Sequence, residues 1–502
     1  FWLFTHQMQI EVLTRSVQLL DGVKVVCGGP EFLGCNEDFL RRHPFVTAVI
    51  RGEGELALPA FLDALDDASR WHGIEGLCWI AEDTGSYHDN ATARVADFAA
   101  LKYPEQSPFF SWDKPFVQLE TTRGCFNTCA FCVSGGEKPV RSQTLEQVRE
   151  RLADICAHGI RDVRVLDRTF NYDMDRACAM LDIFAGYAGR MRFHLEIHPS
   201  LLTETLKARL TSLPEGLLHL EAGIQSLDSK VLAECGRRGS LESSLEGLKF
   251  LCSSENLQTH ADLIAGLPEY GLDMLCADVV TLATVGVDEL QIESLKVLPG
   301  TRMRELASRK GLKYSPLPPY EIMCTPSMSP RELREAMQVS RMVDLYYNAP
   351  AWQRVVRGLI CGSEGFVRDF TAFLREKMVL DTPVSVERRG VLLYEYCRER
   401  HPQILTEVSI AWIEAGLSLK KEPAGDVRKI KHLKAFLDDE DLQMSVRYGD
   451  ADASHRYYLL SSGERRILFG YDSLEHQPAP VFLAELYSEN TGVVILKTLG
   501  SV

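Results

Sequence analysis

The stretch that decides the reading is Phe116-Val-Gln-Leu-Glu-Thr-Thr-Arg-Gly-Cys125-Phe-Asn-Thr-Cys129-Ala-Phe-Cys132. A short apolar run of strand character leads into a Cys-x3-Cys-x2-Cys cluster. At the cysteine frequency of this chain, chance produces that spacing on the order of 0.01 times per chain. A structural zinc ion takes four ligands, commonly from two Cys-x2-Cys pairs or one such pair and two histidines. No second pair follows Cys132, and Cys78, Cys156 and Cys178 stand alone. An ordinary ferredoxin-type cluster uses four thiolates. Three local thiolates leave one iron for a ligand from outside the chain.

Working outward, apolar runs at 116–120, 162–166, 192–197, 218–224, 259–264 and 289–295 read as strands. Stretches with apolar residues at three- and four-residue spacing lie between them, as at Leu145–His158, Met174–Tyr187 and Leu241–Cys252. Strand–helix alternation of this kind predicts parallel strands with right-handed crossovers. In parallel barrels the functional groups gather at the carboxyl ends of the strands. The polar strings here fall at those ends: Asp167-Arg-Thr-Phe-Asn171, Glu196-Ile-His198-Pro199, Glu221-Ala-Gly-Ile-Gln225-Ser226 and Gly266-Leu-Pro268. A carboxylate such as Glu196 inside an apolar strand is costly unless paired or functional.

The cysteine spacing, with an aromatic before the last cysteine, resembles the signature of the radical S-adenosylmethionine superfamily. The Glu-x-Gly-Ile-Gln-Ser string resembles its coproporphyrinogen dehydrogenase-like branch. The resemblance runs from Phe116 to Thr301 and implies an open (β/α)6 barrel. It implies a 4Fe–4S cluster on Cys125, Cys129 and Cys132, with S-adenosylmethionine chelated at the open iron and cleaved to a 5′-deoxyadenosyl radical. Phe131 would then pack by the adenine, and Thr169 and Asn171 would bind the methionine amino group. Glu196 would lie near the ribose and Gln225 near the nucleoside. Arg237 or Arg238 would meet the methionine carboxylate, and the backbone at Gly266 the adenine edge. His194, His198 and Tyr320 are candidate substrate-side groups, although each histidine also reads as a core or capping residue.

Upstream, Val23-Lys-Val-Val-Cys-Gly28-Gly29-Pro30-Glu31 and Val49-Ile-Arg-Gly52-Glu-Gly54-Glu55 read as strand–loop–helix units. They resemble the end of a Rossmann-like cobalamin-binding domain, in which Gly28 and Gly29 would let the backbone approach the ligand. The expected Asp-x-His-x-x-Gly string is absent, so cobalamin use stays open. Downstream, Ser329–Tyr347 reads as a helix opened by Ser-Pro-Arg-Glu, and the tail from 443 alternates like strands, as in Arg456-Tyr-Tyr-Leu-Leu and Gly492-Val-Val-Ile-Leu. Cys324, Cys361 and Cys397 are too isolated to argue an auxiliary cluster.

The expected class is α/β: a partial (β/α)6 TIM-like barrel with an N-terminal Rossmann-like half-domain and a C-terminal, mostly helical α+β extension. The expected divisions are 1–67, a linker at 68–115 with Cys78-Trp-Ile as one short strand, the barrel at 116–310 and the extension at 311–502. A chain of 502 residues exceeds one ordinary core. Its net charge of −15 argues against a duplex nucleic-acid partner. No run reaches the roughly 18 apolar residues of a membrane helix. The opening FWLFTHQMQIEVL lacks signal-peptide features, so a trimmed N-terminus and a cytoplasmic location are expected.

The expected function is radical chemistry on an unidentified small-molecule or peptide substrate, with an electron donor such as flavodoxin or ferredoxin. A cobalamin-dependent methyltransferase or cyclase is one alternative. An iron–sulfur redox or sensor protein is another, against which the ordered Glu196, Gln225 and Gly266 strings argue.

Overall fold

The computed structural model describes residues 12–13, 16–17, 22–431, 455–462, 465–472, 479–480, 482–486 and 494–498. The opening eleven residues, the start of the expected strand pattern at 443 and Gly492-Val493 lie outside them. The chain divides into two compact units, Phe1–Met337 and Gln338–Val502, so the division falls inside the helix Pro330–Met342 rather than at residue 310.

The first unit opens with strands β1 (Val26–Gly28), β2 (Ala48–Ile50), β3 (Leu77–Ile80) and β4 (Tyr87–Asp89), joined in that order. β1 and β2 are parallel, and helix α1 (Glu37–Arg42) crosses between them. β3 adds antiparallel to β2 and β4 antiparallel to β3, so the segment expected to be a linker supplies half of this sheet. Helix α2 (Gly54–Asp63) and Trp71 pack over it, burying Phe61, Trp79 and Leu77.

After β5 (Phe116–Leu119) comes a small hairpin, β6 (Thr122–Arg123) and β7 (Arg141–Ser142), that carries the cysteine loop. Then follow β8 (Asp162–Val165), β9 (Arg192–Ile197), β10 (Leu218–Gln225), β11 (Leu257–Ala265) and β12 (Glu289–Ser294). With β5 they form one six-stranded sheet in the order β12-β11-β10-β9-β8-β5, every neighbouring pair parallel. Spatial order equals sequence order, as successive same-handed crossovers require. The expected strands and their parallel arrangement are therefore present.

Alternation along the strands divides the two faces. On β9, Phe193, Leu195 and Ile197 are buried, while Arg192, His194 and Glu196 are only half-buried. β10 repeats the pattern, with Leu218, Leu220 and Ala222 buried and His219, Glu221 and Gly223 half-buried. One face thus meets the helices and the other lines a polar barrel interior. The helix Leu145–Ala157 begins at a capping box, in which Thr144 accepts from the Gln147 N–H and the Gln147 side chain accepts from the Thr144 N–H.

The N-terminal sheet meets the barrel where the loop after β12 turns. Gly300 has φ +72°, and a Cβ there would stand 2.7 Å from Leu33 atoms. Only glycine permits both that backbone and that approach.

The second unit contains the helices Gln353–Gly362, Phe366–Glu376, Val386–Arg400 and Leu405–Glu414, then an antiparallel five-stranded sheet of Asp426–Ile430, His455–Ser462, Arg465–Asp472, Phe482–Leu486 and Val494–Thr498. Trp352 and Trp412 close over Gly390 in its core, where a Cβ would lie 2.5 Å from Trp352. Among the described residues no helix is long and apolar enough to cross a membrane.

Candidate active site

The cysteine loop leaves the carboxyl end of β5, where a buried carboxylate fixes its exit. Asp167, just past β8, accepts from the backbone N–H of Thr121 at 2.8 Å and of Thr122 at 2.7 Å, and from the Thr121 hydroxyl. Burial pushes the Asp167 carboxyl upward, against the pull of those three donors. Two neighbouring strand ends are thereby tied together below the cluster motif.

Inside the loop, Asn127 is the knot. Its Oδ1 accepts from the N–H of Thr128 and of Arg238, both at 2.8 Å, and its Nδ2 donates to the Arg238 carbonyl at 3.1 Å. Thr128 donates its hydroxyl to the Gly236 carbonyl at 2.8 Å. The loop is therefore laced to the segment that follows β10. Cys125 and Cys129 are buried and Cys132 half-buried. Burial raises the thiol pKa of Cys129 and of Cys132, and each of these thiols feels the Cys125 charge as well. Arg237 works against that rise at Cys129: its Nη1 lies 3.6 Å from the Sγ, and its Nη2 donates to the Gly223 carbonyl.

Three converging thiols are the donor set of an iron–sulfur cluster. Cys129 lies within range of the charges of both Cys125 and Cys132, so the three thiols share one site, and with no fourth cysteine in the motif a cluster held there would leave one corner to an outside ligand.

Around the thiols the rim residues arrive from consecutive strands. Thr169 places Oγ1 3.9 Å from Cys125 Sγ. A cavity of about 220 Å³ beside Cys125 is lined by Thr169, Phe126, Tyr172 and Arg176. Phe131 is half-buried within the loop. Glu196 lies 3.6 Å from Arg168 Nη1, and burial lifts its carboxyl to about 7 despite that cation, helped by the charges of Glu221 and Asp262. Gln225 ends β10 at a bulge with φ +72°, a conformation that costs a non-glycine residue about 1–2 kcal/mol. Its Nε2 folds back to within 2.5 Å of where a Cβ on Gly223 would sit, so a side chain there would have to displace the end of the Gln225 side chain.

Other expected site residues take different places. Both ends of the Asn171 amide are engaged with the His198 main chain, at 2.8 and 3.0 Å, so this side chain joins β8 to β9. His198 is buried behind the loop, with Nδ1 2.9 Å from Ser200 Oγ and Nε2 3.5 Å from Asn127. Burial, and then the Arg237 charge, lowers it to about 4, so it stays neutral. Its neighbours make it a positioning residue, in line with the capping alternative. Tyr320 bonds through its hydroxyl to Glu31 and lies under Arg304, at the junction with the N-terminal sheet. His194 sits deeper, with Nε2 2.7 Å from Glu221. Arg238 is exposed, whereas its neighbour Arg237 faces the thiols.

Gly266 has φ +85°, and a Cβ there would meet Ile322 at 2.7 Å, so packing demands glycine there. Gly29, with φ +96°, has open space about its Cβ position, and Gly28 touches the Ile50 carbonyl.

The sequence did not single out the ties around the loop. Arg141 of the hairpin bonds Glu53 through two contacts of 2.7 and 2.9 Å and Glu137 at 2.7 Å. Arg123 reaches Glu120 and Glu55. The Gly-Glu-Gly-Glu string thus clamps the cysteine hairpin. Burial pushes the Glu53 carboxyl up, but Arg141, the Val95 N–H and Arg123 outweigh it and hold the pKa below the usual range. Stability from this depressed group is present above the ordinary glutamate pKa and lost as pH falls through the lower folded value. The thermal midpoint of Glu53→Gln is therefore expected below that of the parent at pH 7, the gap closing as the pH falls below the ordinary glutamate range. A pH-independent gap would contradict the ion-pair account.

Residues 119–278 match the radical SAM superfamily, and residues 309–410 match a family described as "Protein of unknown function (DUF4080)". Residues 119–278 are a radical SAM domain, and radical SAM enzymes use a 4Fe–4S cluster and S-adenosylmethionine. Two relatives are an uncharacterized methyltransferase, PH0819, of Pyrococcus horikoshii (27% identity; 58% of this chain, 64% of that protein) and the cobalamin-dependent radical SAM methyltransferase TokK of Streptomyces tokunonensis (23%; 75% and 58%). The chain therefore spans less than two thirds of these relatives' lengths. The cobalamin-dependent S-adenosylmethionine radical enzyme OxsB shares the fold, with a TM-score of 0.53 at 15% identity over 80% of this chain and 68% of that one.

Proposed function

We propose that this chain cleaves S-adenosylmethionine reductively and starts radical chemistry on a bound substrate. The observation that carries the reading is the convergence of Cys125, Cys129 and Cys132 at the carboxyl ends of six parallel strands, with Arg237 against Cys129. When bound, a 4Fe–4S cluster supplies the electron that breaks the sulfonium bond. The three thiols would hold the cluster, and Arg237 would favour their deprotonated state and offer a cation to the methionine carboxylate. Thr169 would face the methionine end, and Glu196 and Gln225 the nucleoside. Phe131 would pack beside the adenine. His194 would face substrate deeper in the barrel.

A second reading is favoured by the relatives, which are named methyltransferases: the radical chemistry ends in methyl transfer, with cobalamin at the N-terminal sheet near Gly28 and Gly29. A reductant of the flavodoxin or ferredoxin kind completes the scheme. The cysteines outside the cluster motif are scattered singly along the sequence, which suits a reducing, cytoplasmic setting.

The test is anaerobic purification, cluster reconstitution, reduction and assay for 5′-deoxyadenosine. Product is expected from the parent and none above background from the triple variant Cys125→Ala, Cys129→Ala, Cys132→Ala. A reducible cluster with no cleavage, even with cobalamin supplied, would make the chain a redox or sensor protein. Corrinoid absorbance in the purified protein decides for the methyl-transfer reading.

A further inference from the structure

At the end of the barrel opposite the cysteines, three strands bring His219, His260 and Glu289 together. His219 is the second residue of β10, His260 the fourth of β11 and Glu289 the first of β12. The register places His260 beside Glu289 on one neighbour and beside Glu221 on the other, with His219 two residues before Glu221 on the same face. One ligand atom from each lies within 4.8 Å of the other two.

The hydrogen bonds around this trio leave lone pairs directed at one place. Glu221 Oε2 stands 2.7 Å from His194 Nε2; with that nitrogen as donor, His194 Nδ1 accepts from His219 Nδ1, 3.3 Å away. The chain of donors ends at His219 Nε2, which is buried and has no hydrogen-bond partner. His260 Nε2 lies 3.2 Å from Asp262 Oδ1, leaving the Nδ1 lone pair of that ring. Glu289 Oε1 accepts from Gln258 Nε2 at 3.0 Å, and Gln258 Oε1 accepts from Arg192. Each histidine thus has an outer partner that fixes its tautomer, and the carboxylate has one that fixes its rotamer. This is the second layer that metal-ligating side chains carry. A buried imidazole nitrogen without a partner is otherwise costly.

We infer that His219, His260 and Glu289 form a second metal site, separate from the cysteine cluster, that binds one divalent first-row transition ion through two imidazoles and a carboxylate. Imidazole selects ions of the zinc and iron(II) kind over magnesium or calcium. Three protein ligands leave at least one coordination position open toward the barrel interior. The ion would join β10, β11 and β12 near their amino ends.

The experiment uses the full chain with its cluster reconstituted, dialysed against zinc and then against metal-free buffer, with zinc and iron counted by mass spectrometry. About one zinc per chain is expected in the parent. More than about a tenfold weaker zinc affinity is expected in His219→Gln, His260→Gln and Glu289→Gln, with iron content unchanged. Equal zinc in parent and variants, or none in the parent, overturns the site. Should the variants also lose iron, X-ray absorption at the zinc edge of the parent decides: nitrogen and oxygen neighbours with imidazole scattering support the site, and sulfur neighbours overturn it.

Discussion

Gly135→Ala is expected to lose at least about ten-fold in iron retained after reconstitution, although it removes no cluster ligand. A Cβ at residue 135 would overlap the carbonyl oxygen of Cys129 and stand 3.0 Å from that of Cys132. Both obstacles are backbone, so no rotamer change relieves them. The Gly135 N–H also donates to the Cys132 carbonyl at 3.1 Å, closing the turn that sets the last two thiols. Opening the turn by even 1 Å moves a thiolate out of bonding distance, since Fe–S geometry tolerates little displacement. The control is Gly136→Ala, one residue on. Its φ is +80°, but the nearest atom to its Cβ is Thr128 Cγ2 at 3.9 Å. Strain of about 1–2 kcal/mol is its expected cost, with the cluster retained. Full iron content in Gly135→Ala would show that the loop has slack the close packing denies.

Asp167→Ala is expected to lower stability by about 3–5 kcal/mol, from two backbone donors and one hydroxyl deprived of their acceptor, each in the lower part of the roughly 1–3 kcal/mol range because the Thr122 N–H is only part-buried. Thr121 is fully buried, so water cannot replace the carboxylate there. Asp167→Asn is the informative partner. Both N–H donors point at Oδ1, which the amide oxygen keeps, whereas the hydroxyl bond runs to Oδ2. About 1 kcal/mol is expected for the asparagine form. Denaturant midpoints measured on the two variants check the ratio; equal losses would mean that the charge, rather than the acceptor geometry, holds β5 to β8.

The strands of the barrel were legible because each is a short apolar run with its polar residues on one face, and the observed Arg192–Ile197 matches the expected 192–197. The cysteine spacing carried the class of cofactor, since a local motif needs no tertiary information. What stayed hidden was set by register and close approach. β3 reads only as the short strand Cys78-Trp-Ile within a connection and β4 as part of that connection, because they gain a sheet only by pairing, β3 with β2 and β4 with β3. At Gly266 the close approach of Ile322, far along the chain, adds a packing demand for glycine that the local string does not show. Asn127 sits in plain view between Cys125 and Cys129, and a polar residue buried inside such a tight motif was the signal that it holds something. His219, His260 and Glu289 carry no shared motif, because only strand pairing makes them neighbours.

The six-stranded sheet does not close on itself: β5 and β12 are its two ends, and they are not paired with each other. A closed cylinder admits guests only through its mouths, so their girth is capped by its bore. A cylinder slit along its length has no such cap, and an elongated guest can be laid in sideways with most of its length outside. For such a sheet the open edge itself becomes a surface that can meet a guest. Beside β5 that edge borders a space of about 610 Å³, lined by Phe98, Tyr103, Phe110, Gln118 and Glu120.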